Sequence, residues 1–90
     1  MYEIVYHGEV VSKDLPKIDR HWKGLIRIAI EAKLATKPQV YGKPLRSSLK
    51  NYRKLRVGDY RVIFRMEANM VKIFAILHRS KVYKNNQRLN

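Results

Sequence analysis

The apolar run VKIFAILH, Val71 to His78, leads directly into Arg79, Lys81 and Tyr83, so that an imidazole, two cations and a phenol fall within six residues. Upstream, Tyr52, Lys54, Arg56, Arg61 and Arg65 add four more cations and a ring. These side chains can grip a phosphate and move protons around it. The plain alternative is a set of solvated charges on exposed strands. Other chemistry is excluded by type and spacing. The acids Glu3, Glu9, Asp14, Asp19, Glu31, Asp59 and Glu67 are scattered singly, unlike the clustered carboxylates of a two-metal nuclease. His7, His21 and His78 lack metal-ligand spacing, and neither a glycine-rich phosphate loop nor a nucleophile elbow occurs. No metal and no cofactor are therefore expected. Metal-free chemistry on a polyanion points to RNA cleavage by its own 2′-hydroxyl. That reaction needs a base, cations around the pentacoordinate phosphorus and an acid for the departing 5′ oxygen.

Charge supports a polyanionic partner. The 90 residues carry 20 Lys and Arg against 7 Asp and Glu, a formal net charge of +13. Such an excess attracts nucleic acid through counterion release. It is also uneven: residues 41–65 hold eight basic side chains and only Asp59 as an acid, whereas residues 1–40 hold seven and five. The length fits a single domain, residues 1–90, with one thin core and function on a surface. Cysteine is absent, no apolar run reaches membrane length, and the N-terminus lacks a signal-peptide pattern, which together predict a cytoplasmic protein.

The elements that position these residues are legible in outline. YEIVYH reads as a first strand, and GEVVSKDL as a short helix stopping before Pro16. A second helix is expected from about Asp19, because Ile18, Trp22, Leu25, Ile26, Ala29, Ile30 and Leu34 recur at spacings of three and four. Thr36, Lys37 and Pro38 end it, and YGKPL reads as a loop. YRKLRV, a turn at Gly58-Asp59 and YRVIFRM form a hairpin, and a second turn at Glu67–Asn69 leads into MVKIFAILH. The expected fold is α+β, in β-α-α-β-β-β order, with two N-terminal helices on one face of a mainly antiparallel four-stranded sheet. Strict alternation then turns Leu55, Val57, Val62, Phe64, Met66, Val71, Ile73, Ala75 and Leu77 towards the helices. Tyr52, Lys54, Arg56, Arg61, Ile63, Arg65, Lys72, Phe74, Ile76 and His78 fall on an open, basic face.

The run PLRSSLKNYRKLRVGDYRVIFRM, followed by ILHRSKVY, closely resembles the RelE side of the RelE/ParE superfamily of bacterial and archaeal toxins. The resemblance covers nearly the whole chain and includes the order of elements. It implies a RelE-like mRNA interferase that enters the ribosomal A site and cuts mRNA, leaving a 2′,3′-cyclic phosphate. By matching position, it implies that Lys54 supports the transition state and Arg61 holds the scissile phosphate. Arg79 and Tyr83 match the proposed acid and base, and Arg56 is expected to help bind phosphate, together with Arg65, Lys81 and Tyr52. Some family members carry a second lysine where this chain has Tyr52, and histidine serves as base in related toxins. His78, Arg79 and Tyr83 therefore compete for the proton-transfer roles.

The same resemblance implies a cognate antitoxin as partner, alongside the ribosome with its mRNA and rRNA. It implies no membrane partner, and DNA only indirectly through the antitoxin complex. Two other readings stand beside the nuclease. One is a ParE-like inhibitor of DNA gyrase on the same fold. The other is an inert, RNA-binding or antitoxin-bound homologue.

Overall fold

The computed structural model describes residues 1–45 and 51–82. Strand β1, Glu3–Tyr6, is followed by a π-helical turn, Val10–Asp14, which the Leu15 N–H closes on the Val10 carbonyl. A 3₁₀ turn, Leu15–Lys17, continues from it and takes Pro16 into its first positions, where a missing N–H costs nothing. The short helix expected before Pro16 is therefore a wider turn followed by a tighter one, with the proline inside the second. Helix α1, Arg20–Ala29, begins where the sequence signals it: Asp19 adopts an extended backbone, and its Oδ1 accepts the Trp22 N–H at 2.9 Å. The helical path runs on through a second π-helical turn, Ile30–Leu34, to Ala35.

The segment expected to be a loop contains a short helix, α2, Pro38–Tyr41, and an edge strand, β2, Lys43–Pro44. A proline is tolerated there because an edge strand can leave one side of its ladder unpaired. Strands β3, Arg53–Val57, β4, Tyr60–Glu67, and β5, Met70–His78, form the meander. The sheet thus has five strands rather than four, in the order β1-β5-β4-β3-β2, with β1 parallel to β5 and every other pair antiparallel. Helices on one face of this mainly antiparallel sheet give the expected α+β class.

Two cores flank the sheet. On the helix side, Val10, Ile18, Ile26, Ile30 and Leu34 close over Leu55, Val62, Phe64, Val71, Ile73 and Ile76. Leu25, expected on the buried stripe, is 40% exposed. On the other side, Ile63 and Ala75 are buried beneath Leu45 and Val82. The face read as open is therefore partly covered, by the segment before β3 and the one after β5.

Alternation holds along β3 and β4 but fails in β5. Phe64 pairs with Ile73 and Ile63 with Ala75, so Phe74 is an extra residue, a β-bulge. Beyond it every side chain changes face. Ile76 is buried on the helix side and Ala75 on the opposite side, the reverse of strict alternation. The unbroken apolar run Ile73–Leu77 carries no polar residue that could mark the slip.

Candidate functional site

Register places the cations. Arg56 pairs with Arg61 across β3 and β4, and Lys54 pairs with Lys43 across β3 and β2, so all four share the sheet face away from α1. Because β2 is only two residues long, β3 is left uncovered beyond Lys54. A cleft of about 390 Å³ opens along that edge, lined by Lys33, Tyr41, Lys43, Lys54, Leu55, Arg56 and Arg61. It holds five cations and no carboxylate. Lys33 lies 5.5 Å from the centre of the Tyr41 ring, which orients its ammonium. Lys33, Tyr41 and Lys43 escaped the sequence reading. The Lys-Pro dipeptide, typical of an edge strand, was the available signal.

Arg61 is partly fixed. Its Nη1 donates to the carbonyls of Gly58 and Tyr60, each at 2.9 Å, which among the described residues leaves Nε and Nη2 for a ligand. The same turn receives the end of β5: the Arg79 N–H donates to Asp59 O at 2.8 Å, and Arg79 Nε stands 3.9 Å from Asp59 Oδ1. Gly58 makes this convergence possible. Its φ of +59° suits glycine, and a Cβ there would overlap the Trp22 ring. Two arginines distant in sequence are thus hung on one hairpin turn.

His78 does not join them. The bulge turns it to the helix side, where it pairs with Tyr60 and their rings meet edge-on at 5.9 Å. Its Nδ1 lies 2.9 Å from Ser80 Oγ and accepts the Ser80 N–H at 3.3 Å. With Lys81, it lines a separate groove beside Lys13, Lys17 and Asp14. Leu77 takes the position opposite Arg61 instead. The expectation that His78 lies on the basic face is corrected by that one extra residue. Tyr83 lies outside the described residues.

Arg65 and Tyr52 are on the basic face but are already engaged with neighbours. The Arg65 guanidinium centre lies 5.4 Å from the Tyr52 ring and 5.3 Å from that of Phe74, and the two rings meet edge-on at 5.2 Å. Its Nη2 donates to both Glu67 oxygens at 3.0 and 3.1 Å, while Lys72 Nζ approaches Glu67 Oε2 at 3.1 Å. Hydrogen bonds from Lys72, then from Arg65, hold the Glu67 carboxyl below the usual glutamate range. Among the described residues, no group of three His, Cys, Asp or Glu side chains could hold a metal ion, and no helix is long and apolar enough to cross a membrane.

Comparison with known proteins converges on one kind of molecule. The family model of the ParE toxin of the type II toxin-antitoxin system, parDE, matches residues 9–83. No curated protein sequence matches significantly. Among solved structures, the chain is similar to one in the toxin-antitoxin complex RelBE2 from Mycobacterium tuberculosis. They share 26% identity and superpose with a TM-score of 0.79 over 88% of this chain and 92% of that one. The RelB-RelE antitoxin-toxin complex from Methanococcus jannaschii gives 23% identity and a TM-score of 0.71 over 89% and 95%. The YoeB-YefM complex from Staphylococcus aureus gives 14% and 0.68 over 87% and 97%. At those last two identities the likeness concerns the fold.

Proposed function

We propose, from the premise that this chain belongs to the ParE toxin family of type II toxin-antitoxin systems, that it is a metal-independent endoribonuclease that cuts mRNA in the ribosomal A site and so stops translation. The observation that carries this reading is the carboxylate-free cleft in which Lys43, Lys54, Arg56 and Arg61 face one volume. In the proposed reaction a 2′-oxygen attacks the adjacent phosphorus and the bond to the 5′ oxygen breaks. The products are a 2′,3′-cyclic phosphate and a 5′-hydroxyl. The two unbonded nitrogens of Arg61 hold the scissile phosphate, and Lys54 and Arg56 offset the charge that builds on the pentacoordinate phosphorus. With His78 turned away, removal of the 2′ proton and its return to the leaving oxygen fall to Arg79 and Tyr83.

The chain acts in the cytoplasm, held silent by a cognate antitoxin; relatives of the same fold are complexes of toxin with antitoxin. A basic surface suits an acidic segment that folds as it binds. Contact with DNA runs only through the antitoxin. A second reading, inhibition of DNA gyrase, draws on two observations: the matching family model is that of the ParE toxin, and the residue facing Arg61 from β5 is Leu77, which can carry no proton.

Primer extension in a purified translation reaction separates the two. The expected result is discrete cuts within codons that require ribosomes and disappear in the Arg79→Ala, Tyr83→Phe double variant. Intact mRNA with protein that still binds its antitoxin would sink the nuclease reading, and a supercoiling assay would then test the second.

A further inference from the structure

Asp14 is the buried charged side chain among the described residues, 6% exposed in a chain of net charge +13. Burying a carboxylate is costly unless its oxygens are bonded, so its partners show what it is for. It does not cap the helical turn that follows it. Its Oδ2 instead accepts the Ile76 N–H at 2.9 Å, across 62 residues of sequence. Ile76 lies just beyond the bulge, and β1 pairs with β5 only as far as Ile73. Among the described residues, no strand lies on that side of β5 to receive the Ile76 N–H. Asp14 supplies the missing acceptor.

The consequence reaches the candidate site. Without the extra residue, the pairing of Phe64 with Ile73 would continue as Ile63 with Phe74 and Arg61 with Ile76. Ile76 would then leave the helix-side core, and every later residue would be displaced by one position, about 3.3 Å. Arg79 would lose its place against Asp59 O. We infer that Asp14 is a positioning residue: by accepting the Ile76 N–H it locks Phe74 as the extra residue of β5 and thereby sets where Arg79 leaves the strand beside the Gly58-Asp59 turn.

The structural half of this inference is independent of the reaction, whereas the cleavage half rests on the nuclease reading. The test compares Asp14→Ala, which removes the acceptor, with Asp14→Asn, which keeps a carbonyl oxygen in its place. Amide hydrogen exchange and cross-strand proton contacts report the register. Ribosome-dependent mRNA cleavage, resolved into kcat and KM, reports the site. In Asp14→Ala, Ile76 should lose protection at least about tenfold relative to Val62, and the contact of Ile63 should pass from Ala75 to Phe74. The kcat should fall about 10²-fold, with KM changed by less than about twofold, because the cations of the cleft stay in place. Asp14→Asn should restore the register and most of kcat.

An Asp14→Ala protein that keeps both the Ile63–Ala75 contact and Ile76 protection overturns the inference, as does a changed register with unchanged kcat. If Asp14→Ala fails to fold, Asp14→Asn decides: retained Ile76 protection supports the inference and lost protection overturns it. If the wild type cuts no mRNA, the nuclease reading falls, and the exchange measurement still decides whether Asp14 holds the bulge.

Discussion

At Lys54, Arg56 and Arg61 the chain places like charges side by side, an arrangement that costs the free protein repulsion and is relieved when a polyanion binds. If these side chains grip phosphates, each should contribute separately to the salt dependence of RNA binding. Replacing any one with Gln should flatten the slope of log affinity against log salt by about 0.7, as read by fluorescence anisotropy on single-stranded RNA. Lys23→Gln, on the α1 flank, should leave the slope unchanged. Arg65 differs because Glu67 and two rings already hold it. Since Glu67 has a lowered pKa in the folded protein, its ion pairs stabilise fully above the ordinary glutamate range, and this contribution is lost as pH falls through the lowered value. Urea unfolding between about pH 7 and pH 3 should show Glu67→Gln losing that part of the acid sensitivity.

Among the elements, the β3–β4 hairpin does most to assemble the site, because its turn receives both Arg61 and Arg79. Gly58→Ala would add a strained left-handed residue and press a methyl group into Trp22. A destabilisation of about 2–4 kcal/mol is expected, measurable by urea denaturation. Much of this hairpin was legible in the sequence: Leu55 and Val62 face the helices, Lys54, Arg56 and Arg61 face away, and Asp19 caps α1. Period-two and period-3.6 patterns report burial directly wherever polar residues interrupt them. They are silent in Ile73–Leu77, where five apolar residues fit either register, so the bulge and the true side of His78 could not be read. The acceptor that fixes the bulge lies 62 residues away, in a turn the local pattern does not connect to β5. The two-residue strand β2 is hidden for another reason: it is an edge formed by pairing with β3, with too few residues to carry a pattern.

For the molecule as a whole, the two sides of the sheet divide the labour. Cations line the β3 edge, whereas the helical side carries a groove with an apolar floor between Val11, Leu15, Gly24, Ile26 and Ile30, flanked by Arg20, Lys23 and Arg27, with Leu25 and Ile28 exposed at 40% and 65%. A partner that covers both must be long and must change chemistry along its length, apolar at one end and acidic at the other. The position of β1 has one more consequence. Its partner is β5, so Glu3 sits beside Met70 and the strand made early must wait for one made late. At about 5–20 residues per second, the 66 intervening residues take roughly 3–13 s to synthesise. Throughout that interval the helices have no complete sheet to cover, and the turn at Gly58-Asp59 has no Arg79 to receive. The surface that brings Arg79 to the turn beside Arg61 therefore closes only when β5 has emerged from the ribosome.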